Sequence, residues 1–480
     1  MNYRIIFNTL GKVVWAEALF LLLPTATALI YGETCVYSFL ITMAIALFLG
    51  TALYLVKPKN DIVFAKEGFV IAALTWMIMS AVGALPFVIS GEIPSYVDAL
   101  FETISGFTTT GASTVANVEI MSKGILMWRS FTHWIGGMGV LVFIVALTRK
   151  SSDRSIHILR AEMPGPSVDK LVPRSRDTAK ILYLIYMALT VSEIIFLWFG
   201  EMDLFESAVH AFATAGTGGF GIKGDSIASY SAYSQWVITA FMLLFGVNFN
   251  LYFLLIARKF RYIFKSTELK VYLSITVFMT ALIAINTSNL FASLHDNIRT
   301  SAFQVASILT TTGFATADFD AWSPFAKTLI FLLMFVGGCA GSTAGGMKLS
   351  RLIIIVKRVK NELRRVLHPR TYTLVKLDGK RVDDTTLHSV STYMFLYMFI
   401  IAGTLFLLSF NGLDFETNVS AAVSCFNNVG PGFSKIGPAL NYTVYSPFSK
   451  IVLSIAMLLG RLEIYPILLT LNFATWTNKE

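Results

Sequence analysis

The 480-residue sequence contains little charge and little cysteine. Only 14% of its residues are charged and 55% are apolar, with a mean hydropathy of +0.66, which excludes an ordinary soluble domain. The three cysteines, Cys35, Cys339 and Cys425, have neither a disulfide nor a metal-binding spacing and are expected to serve in packing. The six histidines form no ligand cluster, and nucleophile, ATP and dinucleotide motifs are absent. The sequence therefore argues against an enzyme.

Apolar runs recur along the whole chain, with the length of about 20 residues that a helix needs to cross about 30 Å of hydrocarbon. The first run is longer than the apolar part of a signal peptide and lacks a cleavage pattern, so it is interpreted as a retained span. The predicted spans are 13–31, 36–56, 69–90, 123–147, 180–200, 232–257, 269–287, 325–356, 389–410 and 446–470.

Four short glycine-bearing segments interrupt these spans at similar spacing. They read FTTTGAS at 107–113, FATAGTGGF at 212–220, LTTTGFA at 309–315 and FNNVGPGF at 426–433. Aligned on Gly111, Gly216, Gly313 and Gly430, each has phenylalanine or leucine four positions earlier. The segment before each glycine is too short to cross a membrane, so each unit is predicted to contain a span, a short helix, a loop and a returning span.

The predicted fold class is therefore an all-α integral membrane protein. Two N-terminal transmembrane helices precede four helix, pore helix, loop and helix repeats, which surround a central pore. The predicted boundaries are 1–62 for the N-terminal pair and 63–150, 151–260, 261–360 and 361–480 for the four pore repeats.

Basic residues gather in the connectors between the units, at 57–66, 149–176, 258–265 and 357–381, whereas acidic residues flank the glycine segments. The positive-inside rule makes these connectors and both termini cytoplasmic, so the glycine segments enter from outside. The formal net charge of +9 then reflects topology, and nucleic-acid binding is disfavoured. The inner basic surface could still hold anionic lipid of the bilayer or an acidic partner.

The glycine segments are suited to binding cations. Helix C-termini carry partial negative charge, and loop carbonyls can replace the water around a cation. Glycine permits backbone angles that other residues avoid. The predicted filter residues are Thr109, Thr110, Gly111, Thr214, Ala215, Gly216, Thr311, Thr312, Gly313, Asn428, Val429 and Gly430. The alternative, that each glycine only breaks a helix, is open for one segment and disfavoured for four in register.

Together with WRSFTHWIGGMG at 128–139, GGCAGSTAGGMK at 337–348 and GRLEIYP at 460–466, these segments resemble the Trk/Ktr/HKT superfamily of potassium transporters, most closely its TrkH and TrkG branch. The resemblance covers nearly the whole chain and implies K⁺ as the transported ion, with no organic cofactor, in a bacterial inner membrane. It also implies a homodimer and a cytoplasmic TrkA-like ring of nucleotide-binding RCK subunits. In plant HKT relatives, serine at the first filter glycine accompanies sodium selectivity, so Gly111 favours potassium. The fourth segment departs most, with Asn428 and Val429 in place of threonines.

Arg461 is the first gate candidate. It lies about 24 Å inward from a span start near Tyr445, where a charge costs at least about 2.5–3.5 kcal/mol. The resemblance implies that this arginine lies in the ion path below the filter. The alternative is a structural bridge to a carboxylate on a neighbouring helix. Arg129 and His133, one turn apart, are interpreted as structural partners of pore-helix groups.

The second gate candidate is the long third returning span. About 33 residues exceed a single crossing of about 20, and central glycines predict two helices joined by an unwound segment, which the resemblance identifies with an intramembrane gate. The candidate residues are Gly337, Gly338, Gly341, Ser342, Thr343, Gly345 and Gly346. The spacing of Gly337, Gly341 and Gly345 also fits a helix-packing stripe. A phosphate-binding loop is excluded, because leucine follows Lys348.

The favoured function is K⁺ uptake through a selective pore gated by a cytoplasmic ring. Two alternatives come from other classes. One is an ion-coupled secondary transporter with discontinuous helices, moving K⁺ with H⁺ or Na⁺ or carrying another solute, although such sites are usually built from two inverted repeats. The other is a membrane scaffold without transport, which the intact glycines disfavour.

Overall fold

The computed structural model describes residues 1–58, 64–139, 175–369 and 374–476, with the main chain alone at 175–178. Within these ranges the fold is helical apart from one short antiparallel hairpin, in which Lys376–Leu377 pairs with Lys380–Arg381. The predicted repeat boundary at residue 150 and the basic connector at 149–176 lie outside them, apart from the main chain of the last residues of that connector.

The N-terminal helices are Tyr3–Phe20, which continues as Leu22–Ile30, and Val36–Tyr54. The first begins ten residues before the predicted start at residue 13. Gly11 and Gly50 allow the two helices to approach closely, because a Cβ at Gly11 would lie less than 3.0 Å from the backbone of Tyr54 and of Gly50. The pair packs against the first repeat, where Glu33 accepts hydrogen bonds from the amides of Lys123 at 2.7 Å and Gly124 at 2.8 Å.

Each repeat begins with a long apolar helix. These inbound helices are Ala65–Gly83 with its extension Leu85–Ser90, Ser175–Trp198, Thr267–Asn286 and Asp384–Leu408. In the described residues, six helices are long and apolar enough to cross a membrane, namely the two at the N-terminus and these four. The fold class predicted from the sequence is therefore confirmed.

Four short helices, called pore helices 1 to 4, follow the inbound helices. They are Tyr96–Phe107, Leu204–Gly216, Leu294–Leu309 and Phe415–Asn427, of 12, 13, 16 and 13 residues. A serine or aspartate side chain caps the first turn of each; these residues are Ser95, Asp203, Ser293 and Asp414. Asp414 is exposed, and hydrogen bonds from the Thr417 hydroxyl and amide hold its pKa below its ordinary value.

The returning helices are Lys123–Met138, Ala232–Phe245, Pro324–Met334 and Pro447–Arg461, and in the last three a second helix follows a break. The second helices are Phe249–Ile256, Leu349–Leu367 and Tyr465–Leu471. The unwound segment predicted in the third is confirmed at 335–348. The spans predicted at 232–257 and 446–470 are each broken into two helices. The first bends by 91°, and the second breaks where Glu463 and Ile464 have φ of 58° and 72°. The end of the predicted span 123–147 lies outside the described residues.

Short elements complete the described chain. The two short helices are Phe260–Lys265 and Phe473–Trp476. The 3₁₀ turns are Val118–Ile120, Ser288–Leu290, Phe319–Ala321, Ser409–Asn411, Ser434–Ile436 and Tyr442–Val444. The largest apolar cluster lies between the N-terminal pair, the first repeat and the fourth repeat, with Trp128 fully buried. The three cysteines are all buried and free.

Candidate functional site

The segments after the pore helices, 108–114, 217–221, 310–316 and 428–434, are called loops 1 to 4, and they share one turn. In each, a non-glycine residue adopts φ between 55° and 57°; these residues are Thr109, Thr217, Thr311 and Asn428. The next amide bonds to a carbonyl five residues earlier, at 2.8 to 2.9 Å. These bonds are Thr110 to Ser105, Gly218 to Ala213, Thr312 to Ser307 and Val429 to Ser424. This is the Schellman pattern of helix termination.

This shared turn corrects the alignment of the second loop. Gly216, Thr214 and Ala215 are the last residues of pore helix 2, and a Cβ at Gly216 would lie less than 3.0 Å from the His133 carbonyl. The glycine that follows the left-handed residue by two positions is Gly219, as Gly111 follows Thr109. The sequence contains two Thr-x-Gly patterns three residues apart, and alignment on Phe212 selected the earlier one. The residues of loop 2 that are equivalent to Thr109, Thr110 and Gly111 are thus Thr217, Gly218 and Gly219.

The four loops meet in chain order and close a ring. A Cβ at Gly111 would lie less than 3.0 Å from the Gly218 carbonyl oxygen of the next loop. In the same way, an added Cβ would lie less than 3.0 Å from a carbonyl oxygen of the next loop at the other three glycines. The pairs are Gly219 with Thr312, Gly313 with Val429 and Gly430 with Thr110. The ring therefore brings together one main-chain carbonyl from each loop. A side chain at any of the four glycines would displace a carbonyl of the neighbouring loop.

Backbone conformation also requires these glycines. Their φ angles are 79° at Gly111, 76° at Gly219, 84° at Gly313 and 101° at Gly430, which side chains disfavour. All four line one cavity of about 130 Å³, together with other residues of the loops and of the segments that follow them. Because the four glycines share one cavity, the loops enter from the same side.

Threonine and asparagine side chains support the ring from behind. The Oγ1 atoms of Thr108 and Thr110 lie 2.8 Å apart, as do those of Thr310 and Thr312. In loop 4, Asn428 donates from Nδ2 to Thr110 Oγ1 at 3.0 Å and to the Met457 carbonyl at 3.0 Å. The departure of loop 4 from the threonine pattern thus gives a side chain that reaches loop 1 and the fourth returning helix.

Arg129 and His133 lie behind loops 1 and 2, as structural partners of the kind predicted. Arg129 Nε contacts Glu102 Oε1 at 2.6 Å, and both side chains are buried. His133 Nδ1 lies 2.7 Å from the Gly106 carbonyl oxygen, and its Nε2 accepts from the Phe220 amide at 3.3 Å. An Nε2 that accepts leaves the proton on Nδ1, so the neutral ring connects pore helix 1 to loop 2.

The segment 335–348, called the intramembrane loop, lies directly beneath the ring. The Gly345 amide donates to Thr311 Oγ1 at 2.6 Å, and the Cys339 amide donates to the Gly246 carbonyl at 3.0 Å. Glu268 Oε1 accepts from the Ala340 amide at 2.8 Å. Gly337, Gly341 and Gly346 have φ from 72° to 74°. The alternative of a helix-packing stripe is wrong, because Gly337, Gly341 and Gly345 all lie outside helices.

Arg461 is the last residue of its helix and contacts both the first and the third returning segments. Its guanidinium donates to the Thr343 carbonyl at 2.8 Å and to the Gly136 and Gly137 carbonyls at 2.6 and 3.0 Å. Glu463, the nearest acid in sequence, instead contacts Arg351 at 2.5 Å. Arg461 therefore links the intramembrane loop to the end of the first returning helix.

A cavity of about 60 Å³ beneath the ring collects most of the gate candidates. Gly341, Ser342, Gly345, Gly346 and Arg461 line it, together with glycines of the first returning helix. Gly337, Gly338 and Thr343 do not line this cavity. Gly338 instead packs against Ala344, where an added Cβ would be 2.6 Å away.

Lys348 is a lining residue that sequence reasoning missed. It is buried, has φ of 72°, and its Nζ donates to the Ala344 carbonyl within the intramembrane loop. It occurs in the GGCAGSTAGGMK motif, where it was considered only as a phosphate-loop lysine. A lysine within a predicted membrane span is the sequence signal that could have found it, by the same reasoning that singled out Arg461.

A ring of carbonyls supplied by the loops that follow four pore helices, above a cavity lined by broken helices, defines a four-repeat membrane protein that transports ions. The TrkH family, described as cation transport protein, matches residues 37–475. The chain is 34% identical to the Trk system potassium uptake protein TrkH of Escherichia coli (strain K12), over 99% of this chain and 100% of that protein. It is also 34% identical to TrkG of the same strain, over 99% of each.

Among solved structures, the crystal structure of the potassium transporter TrkH from Vibrio parahaemolyticus matches with a TM-score of 0.89 and 30% identity. The match covers 99% of this chain and 100% of that chain. The chain belongs to the TrkH family of cation transport proteins. The resemblance found in the sequence motifs is thereby confirmed.

Proposed function

We propose that this protein mediates K⁺ uptake across a bacterial inner membrane through a K⁺-selective pore. The observation that carries the proposal is the closed ring in which each of four loops contributes a carbonyl against the next loop's glycine. Rings of main-chain carbonyls replace the hydration shell of a dehydrated cation. The curated relatives at 34% identity are named potassium uptake proteins, which supports K⁺ as this chain's ion.

The ion-binding residues are the three-residue segments that end in the four ring glycines. They are Thr109, Thr110, Gly111, Thr217, Gly218, Gly219, Thr311, Thr312, Gly313, Asn428, Val429 and Gly430. The C-termini of the four pore helices precede these segments and direct their partial negative charge at the bound ion. Selectivity for K⁺ then depends on the spacing of the carbonyls, which the loop-to-loop contacts hold.

The gate consists of the intramembrane loop and Arg461. An ion that leaves the ring meets a cavity of about 60 Å³, lined by Gly341, Gly345 and Arg461. The guanidinium bonds to the Thr343 carbonyl and to the first returning helix, so it closes the space across the ion path. Opening requires these bonds to break and the loop to move aside. Lys348, at the end of the same loop, also lines this cavity.

A cytoplasmic ring of nucleotide-binding subunits, similar to TrkA, controls this gate, and the transporter is a homodimer with both termini in the cytoplasm. The support is the Trk system naming of the relatives and the concentration of basic residues in the inner connectors. The helix Leu349–Leu367 leaves the intramembrane loop directly and carries basic residues toward its end. It offers a continuous connection between a cytoplasmic partner and the gate.

The test is uptake of radioactive Rb⁺, a K⁺ surrogate, by liposomes that contain the purified dimer, with and without a candidate RCK-type ring. We expect uptake that the ring and its nucleotide change, and that external K⁺ suppresses far better than external Na⁺. Uptake that requires an imposed proton or Na⁺ gradient would instead support the secondary transporter. No Rb⁺ uptake under either condition would contradict the proposal.

A further inference from the structure

A buried ion pair lies behind the ring, on the side where loops 1 and 2 meet. Glu102 belongs to pore helix 1 and Arg129 to the first returning helix, and the side-chain exposures are 0% and 3%. A buried pair is tolerated only if its remaining donors and acceptors are also satisfied. The partners that satisfy them therefore indicate what the pair supports.

Those partners belong to both loops. Glu102 accepts from Ser113 Oγ at 3.0 Å and from the Thr114 amide at 2.8 Å, both in loop 1. Arg129 donates from Nη2 to Ser113 Oγ at 3.1 Å and from Nη1 to the Gly221 carbonyl of loop 2 at 3.1 Å. Its guanidinium carbon also lies 3.8 Å from the centre of the Phe220 ring.

Ser113 and Gly221, the residues that Arg129 contacts in loops 1 and 2, occupy equivalent positions in the two loops. Ser113 follows Gly111 by two residues, and Gly221 follows Gly219 by two residues. Gly111 is the glycine that packs against the Gly218 carbonyl, so the ion pair spans the same junction from behind. A guanidinium is planar, and its donors are fixed relative to one another. The distance between the two loops is therefore set by a rigid charged group.

Other junctions of the ring are held differently. Ser226, which follows loop 2, accepts from the Ala315 amide of loop 3 at 3.2 Å, and Tyr442, which follows loop 4, donates from its amide to the Ser113 carbonyl of loop 1 at 2.8 Å. Both of these contacts are neutral. Lys450 of the fourth returning helix also pairs with Asp98 at 2.6 Å, but Asp98 lies in the first turn of pore helix 1 and not in a loop. Asp320, which follows loop 3, accepts from the Ser434 amide of loop 4 and pairs with Lys327 at 2.7 Å, but the Asp320 side chain is 25% exposed.

We propose that Glu102 and Arg129 are positioning residues for the filter, which fix the spacing of loops 1 and 2 and thereby set the discrimination between K⁺ and Na⁺. This inference rests on the proposed function. A carbonyl ring that relaxes at one junction can contract around the smaller Na⁺ ion. Loss of the Glu102–Arg129 pair is therefore expected to admit Na⁺ rather than to abolish transport.

The test compares wild type with Arg129→Gln, Arg129→Lys and Arg299→Gln in liposomes. Rb⁺ uptake is measured per folded dimer, with increasing external K⁺ or Na⁺ as competitor. For Arg129→Gln, which leaves the Glu102 carboxylate buried without its partner, we expect the ratio of Na⁺ to K⁺ inhibition constants to fall about tenfold. Arg129→Lys keeps the positive charge but lacks the planar guanidinium with its fixed donors. We expect its ratio of inhibition constants to lie between those of wild type and Arg129→Gln.

Arg299 is the matched control, because it pairs with Asp296 at 2.9 Å on pore helix 3 and both side chains are partly exposed. Its variant is expected to keep the wild-type ratio. A merely structural role for Arg129 would lower the yield of folded dimer and leave the ratio unchanged, and that result would overturn the inference. If Arg129→Gln does not fold, the ratio of Na⁺ to K⁺ inhibition constants measured for Arg129→Lys tests the inference in its place. Wild-type protein that takes up no Rb⁺ would instead overturn the proposed function.

Discussion

The amide of Gly345 donates a hydrogen bond to Oγ1 of Thr311 at 2.6 Å. One bond thus joins the left-handed residue of loop 3 to the intramembrane loop, with both groups buried. The two parts proposed as filter and gate are therefore in direct contact. Gly346 packs beside the same threonine, where an added Cβ would lie 3.6 Å from the Thr311 methyl carbon.

Replacing Thr311 with valine removes the acceptor and keeps the shape. The buried Gly345 amide then loses its partner, at a cost of about 1–3 kcal/mol. Because this bond holds the intramembrane loop beneath the ring, we expect Rb⁺ uptake without the regulatory ring to rise by about fivefold or more. Thr217→Val is the comparison, since Thr217 bonds to the Gly216 carbonyl of its own helix. An equal rise in both variants would show that the bond to Gly345 is not responsible.

Replacing Arg461 with glutamine removes charge-assisted bonds to the Thr343, Gly136 and Gly137 carbonyls. Hydrogen bonds to charged groups contribute about 1.5–3 kcal/mol each. We expect basal Rb⁺ uptake, measured without the ring, to rise by about tenfold or more, with little change in the K⁺ to Na⁺ ratio. Basal uptake that stays at the wild-type level in well-folded protein would contradict a gate role for Arg461.

The corrected register of loop 2 predicts different effects at two neighbouring glycines. Gly219→Ser places a side chain against the Thr312 carbonyl at a φ of 76°, so we expect it to weaken K⁺ over Na⁺ discrimination, as Gly111→Ser should. Gly216→Ser crowds the His133 carbonyl inside the helix packing, so it should lower the yield of folded protein. Competition by Na⁺ in the Rb⁺ uptake assay measures the K⁺ over Na⁺ discrimination of each variant. A changed ratio for Gly216→Ser alone would contradict the register.

Sequence periodicity was sufficient for the architecture, because apolar runs of spanning length and four repeated glycine segments are local features. It was insufficient for the register of loop 2, since Thr214 and Thr217 are both followed at two positions by glycine. Only the left-handed turn at Thr217 distinguishes them. The break at Ile464 and the pairing of Arg351 with Glu463 depend on tertiary contacts between distant segments. No local pattern encodes such contacts.

Close packing of the returning helices on the pore helices gives a prediction about stability. A Cβ at Gly136 would lie less than 3.0 Å from the Phe107 carbonyl, whereas nothing lies within 4 Å of a Cβ at Gly403. Forcing a methyl group into a packed site costs about 1–3 kcal/mol, so Gly136→Ala should lower the melting temperature of the detergent-solubilised protein. Gly403→Ala should leave it unchanged or raise it, because alanine reduces the freedom of the unfolded chain. Equal melting temperatures for the two variants would contradict the packing.

The reversal potential of the purified protein in a planar bilayer, with mostly K⁺ on one side and mostly Na⁺ on the other, tests the K⁺-selective filter most directly. A carbonyl ring closed by Gly111, Gly219, Gly313 and Gly430 predicts a current that reverses near the K⁺ equilibrium potential, without any proton gradient. Reversal near zero, or at the Na⁺ potential, would contradict a K⁺-selective filter at these loops.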